Sequence, residues 1–77
     1  MPKRTDLASA VIHREARLRV QLIEPNGGEP PLIAVDWPPV PTVCIPQQLD
    51  AVVAAAMRVL SNAVVQLAVL RASGRRL

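Results

Sequence analysis

Seventy-seven residues make one domain at most, and a chain this short buries only about 60% of the surface its unfolded form exposes. Cys44 is the only cysteine and His13 the only histidine, which excludes an internal disulfide and leaves too few ligands for a structural zinc site, where about four are wanted. Oligomerisation is the staple that remains.

A lone free cysteine fits a reducing, cytoplasmic setting. Trp37 is the only aromatic residue, and arginine outnumbers lysine eight to one. That usage suits a GC-rich bacterial or phage genome and says nothing about function. The net charge of +3 is segregated. Lys3, Arg4, Arg14, Arg17 and Arg19 dominate residues 1–19. Glu24, Glu29, Asp36 and Asp50 are the only charges in 20–50. Arg58, Arg71, Arg75 and Arg76 are unopposed after that. The basic ends suit anionic partners, or simply keep an apolar chain in solution.

Along the chain, residues 1–15 read as a basic N-terminal tail or a strand extension. Residues 1–6 look like flexible tail. Leu7, Ala8, Val11 and Ile12 have helical spacing, with Thr5 or Asp6 as a cap. The preferred alternative extends the next strand backwards over Val11 to Ala16. The apolar run from Leu7 to Ile12 is too short for a secretory leader and is followed at once by charged residues.

Residues 16–77 are expected to form a single ββ(β)α domain. Leu18, Val20 and Leu22 alternate with Arg17, Arg19 and Gln21, which predicts a half-buried strand over 16–24. Pro25-Asn26-Gly27-Gly28-Glu29-Pro30-Pro31 is a turn. A second strand is expected over 32–37, broken by Pro38-Pro39-Val40-Pro41. Residues 42–45 read as a short third strand or extended arm, whose prolines suit an edge. Pro46 sits where the first turn of a helix tolerates it, and the helix should run to about Ala72, with Gly74 as a stop and Arg71, Arg75 and Arg76 at the negative end of its dipole.

That helix dominates the chain. About 26 residues span roughly 39 Å, whereas a six-residue strand spans about 20 Å. A hairpin would therefore cover half of it. Leu49, Val53, Ala56, Leu60, Ala63, Leu67 and Leu70 recur at steps of four and three, the spacing of a helix-packing seam. Arg58, Asn62 and Gln66 make one narrow polar stripe, and Val65 and Val69 intrude on it. The C-terminal half is nearly apolar all round, so Leu60, Ala63, Val64, Leu67 and Leu70 are the expected contacts between copies. Charged coiled-coil flanks are missing, which favours a globular helix-packed dimer or tetramer.

Ala51 to Leu70 is long enough to cross a bilayer. Arg58, Ser61, Asn62 and Gln66 oppose this, because a central arginine alone costs about 2.5–3.5 kcal/mol. Catalysis finds no support: Cys44 and His13 lack a third orienting group, Gly27-Gly28 is too short to cradle phosphate, and Glu24, Glu29 and Asp36 lie around a loop. No catalytic, cofactor or metal residue is assigned. Trp37-Pro38-Pro39-Val40-Pro41 reads as a rigid connector whose tryptophan closes the core, with a polyproline ligand as the alternative. Arg14, Arg17, Arg19, Arg71, Arg75 and Arg76 could serve phosphates or a protein partner if assembly gathered them.

The sequence thus predicts an α+β fold: an antiparallel hairpin or three-stranded meander, then one long helix that mediates homo-oligomerisation. The expected function is a small, non-enzymatic protein-interaction adaptor or regulator whose partners are itself and another protein. The alternative is an arginine-rich nucleic-acid-binding protein, and a membrane-associated small protein is the second alternative.

Overall fold

Alternating apolar residues build the sheet, and one apolar helix covers part of it. The computed structural model describes residues 2–39, 43–75 and 77. Strands β1 (Lys3–His13), β2 (Ala16–Glu24) and β3 (Leu32–Asp36) form an antiparallel sheet in the order β1-β2-β3. Helix α1 (Pro46–Ala72) follows. The fold is therefore α+β, a three-stranded antiparallel sheet with one long C-terminal helix.

The first strand corrects the reading of the N-terminus. Lys3 to Asp6 are not a tail, because they pair with Glu24 to Gln21 on β2. The helical spacing of the apolar residues arises from two bulges. Asp6 faces Gln21 but Ala8 faces Val20, so Leu7 is an extra residue; a second shift makes Ile12 extra. Each bulge resets the alternation and increases the local twist. Leu7 and Ile12 both end up buried in the core. A two-residue turn then joins β1 to β2, with Arg14 in the left-handed region at φ 50°. Glycine or asparagine usually takes that conformation, which is why the sequence carries no turn signal there.

Of the two readings of residues 42–45, a short third strand or an extended arm, the extended backbone of Ile45 (φ −78°, ψ 157°) fits the arm. Val43 to Ile45 form no strand, and Thr42 lies outside the described residues, as do Val40 and Pro41. Trp37 lies beyond the end of β3 and is 58% exposed, so it does not close the core.

Both ends of α1 are built from the residues that suggested them. Pro46 occupies the first turn, and the Ile45 backbone N–H donates to Gln48 Oε1 at 3.1 Å. At the other end the Gly74 N–H donates to the Arg71 carbonyl at 3.1 Å and the Arg75 N–H to the Leu70 carbonyl at 3.4 Å. Gly74 has φ 96°. These two bonds with a left-handed glycine are the Schellman stop.

The core lies between α1 and the β1–β2 pair. Leu18 and Leu22 are fully buried, joined by Leu7, Ile12, Val20, Ala56, Val59 and Ala63. No Cα of α1 comes within 8 Å of one in β3. The length argument from sequence fails for a clear reason: an 11-residue β1 spans about 36 Å, close to the roughly 40 Å of α1. What the sheet lacks is width over β3.

Candidate interaction surface

Displacement of α1 toward β1 leaves an apolar cleft beside β3. Val35 pairs with Val20 and Ile33 with Leu22, so both β3 side chains stand on the same face as the core residues of β2. The helix does not reach them, and Ile33 remains 46% exposed. On α1, Leu49, Val53, Met57, Leu60, Val64 and Leu67 recur at steps of three and four along one flank. Leu60, Val64 and Leu67 face Ile33 and Val35 across a cleft of about 180 Å³, floored by Leu7, Val20 and Ala63, with no polar side chain in its lining. A smaller hollow of about 90 Å³ continues it past Ile33 and Leu67 to Arg71 and Leu77.

The expected oligomer contacts differ in their exposure within one chain. Ala63 is buried against the chain's own sheet and forms part of the floor of the cleft. Leu60 and Leu70 are half-buried against the core, Leu67 is half-buried beside the cleft, and Val64 is 67% exposed. Exposure follows the β3-side flank along the whole helix and is not confined to the C-terminal half. Leu49, Val53 and Met57, all exposed, belong to the surface although the sequence argument placed them outside the contact set. Val65 and Val69, also exposed, lie on the opposite flank with Arg58 and Asn62 by the 100° step of the helix.

Among the described residues the arginines do not form one patch within a single chain. Arg14 and Arg17 lie at the β1–β2 turn, where Arg17 Nη1 donates to Ser9 Oγ at 3.3 Å. Arg19 is on the outer face of the sheet, paired in register with Asp36. That face also carries Gln21, which donates to Asp6 Oδ1 at 2.7 Å and accepts from Arg4 at 3.3 Å. Arg71 and Arg75 are at the far end of α1, in a molecule 46 Å long. Arg75 Nη2 donates to Glu24 Oε1 at 2.9 Å, and Arg71 Nε donates to the Leu77 carbonyl at 3.3 Å. Arg76 lies outside the described residues.

Cys44 is exposed and His13 is half-buried at the end of β1. Among the described residues no group of three metal-ligating side chains occurs. By length and composition α1 could cross a membrane. As a spanning helix it would have to leave Leu18, Val20 and Leu22 uncovered, and its centre carries Arg58 and Asn62. Comparison with protein-family models, with characterised proteins and with solved structures gives no match.

Proposed function

We propose that this chain is a small, non-enzymatic interaction protein, an adaptor or regulator of the cytoplasm that acts as a homo-oligomer and binds a further protein. One observation carries the reading: the apolar flank of α1 and the inner face of β3 form a continuous uncovered surface. Contiguous apolar patches of this kind on small proteins mark contact with another macromolecule. Burying the exposed part of each large side chain there gains roughly 1–1.5 kcal/mol, and several together make a large share of the stability of about 5 kcal/mol open to a chain this small. The nucleic-acid reading has less support, since among the described residues Arg14 and Arg17 lie at one end of the molecule and Arg71 and Arg75 at the other.

Light scattering at micromolar concentration, without detergent, tests the reading. The expected molar mass is a small multiple of 8.3 kDa. A monodisperse monomer that also leaves an apolar fluorescent dye unbound would overturn it.

A further inference from the structure

We infer that the cleft is filled by α1 of a second copy, lying antiparallel to the first and held in register by Asp50 and Arg71. The inference rests on the homo-oligomer reading and adds the occupant, its direction and its register. Asp50, Met57, Val64 and Arg71 stand at intervals of seven residues on α1, and all four are exposed. Seven residues are nearly two turns, so the four share one line along the helix. The line reads acid, apolar, apolar, base. Reversed end to end it meets itself with Asp50 against Arg71 and Met57 against Val64. Two such meetings occur per two-fold dimer, as an isologous interface requires.

Parallel pairing would instead set Asp50 against Asp50 and Arg71 against Arg71. Among the described residues Asp50 makes no side-chain hydrogen bond or ion pair, and Arg71 reaches only the Leu77 carbonyl. Arg71 also lines the end of the cleft, which places this charge on the β3-side flank. The three-and-four spacing of the flank corresponds to helices crossing at about 20°. At that angle the ends of two 27-residue helices stay within the reach of an arginine side chain.

The size of the surface suits a second copy. The flank and the open face of β3 present eight large aliphatic side chains, on the order of 400–500 Å² of apolar area. A polar rim raises this toward the roughly 800 Å² per partner of a stable interface. Pairing through the free edge of β3 is another way to join two copies on this side of the sheet. It is disfavoured because β3 has five residues and is flanked by Pro30-Pro31 and Pro38-Pro39. It would also hold the two helices about 20 Å apart at ordinary strand spacing, leaving both flanks bare.

Charge reversal tests the inference on the full chain by sedimentation equilibrium, with circular dichroism to check the fold. Asp50→Arg and Arg71→Asp should each weaken the dimer about tenfold by setting two like-charge pairs together. The double variant Asp50→Arg/Arg71→Asp should return to near wild-type affinity. As a second readout, in chains with Cys44→Ser, Met57→Cys mixed with Val64→Cys should give mainly the mixed disulfide. A dimer whose affinity ignores both single reversals, or which forms mainly like-with-like disulfides, overturns the antiparallel register and leaves the homo-oligomer reading standing. A wild-type monomer removes both.

Discussion

Arg75 donates a charge-assisted hydrogen bond to Glu24, 51 residues earlier, and so ties the end of α1 to the end of β2. The contact fixes the helix parallel to β2 and closes the C-terminal end of the core. Both side chains are about 30% exposed, so the pair contributes modestly, about 0.5–1 kcal/mol. Glu24→Gln and Arg75→Ala should each lower stability by that amount in urea unfolding, and the double variant should cost little more than either alone. Fully additive losses would show that the two side chains act independently.

Leu18 and Leu22 are the two fully buried side chains of the sheet. Truncating either to alanine should cost about 2–5 kcal/mol from lost transfer energy and the cavity left behind. That is comparable to the whole stability of a small domain. Thermal melts followed by circular dichroism should show Leu18→Ala largely unfolded at room temperature, whereas Leu32→Ala, at a 57% exposed position on the outer face, should melt close to wild type.

Arg14 holds a left-handed backbone that a side chain disfavours by roughly 1–2 kcal/mol. Arg14→Gly removes this cost but adds chain entropy to the unfolded state. The net expectation is a stabilisation of about 0.5–1 kcal/mol, read as a higher urea midpoint with an unchanged slope. A lower midpoint would mean that the Arg14 side chain makes contacts worth more than the strain.

Much of this fold is legible in the residues. The alternation of Leu18, Val20 and Leu22, the Asn26-Gly27 turn, Pro46 and Gly74 each announce the element they belong to. The first strand is hidden for two physical reasons. Its bulges at Leu7 and Ile12 interrupt period two and imitate a helix, and its turn uses Arg14 where glycine would have signalled it. Without that strand the helix looks half uncovered by length. The true gap runs lengthwise, because α1 sits over β1 and β2 and leaves β3 open. Lateral placement of a helix on a sheet depends on which strand carries the bulky inward residues. Here the bulged β1 supplies Leu7 and Ile12, and an alternation pattern with a missing strand cannot place them. Met57 and Val64 could be found from their seven-residue relation to Asp50 and Arg71, a signal independent of the sheet.

Nucleic-acid binding makes a separate prediction. Phosphate contacts weaken steeply with salt because bound counterions are released. With Arg14 and Arg17 at one end and Arg75 engaged by Glu24 at the other, duplex DNA should show no gel shift near physiological salt. A shift at micromolar protein that falls steeply with added salt would put the arginines back at the centre of the function.

The most direct test compares two neighbouring substitutions by sedimentation equilibrium. Val64 and Val65 are similarly exposed, at 67% and 63%, but lie on different sides of α1, Val64 facing the cleft and Val65 turned away from it. Val64→Glu should dissociate the wild-type assembly to a folded monomer, whereas Val65→Glu should leave the mass and affinity near wild type. Equal effects of the two substitutions, or a wild type already monomeric at micromolar concentration, would contradict the account.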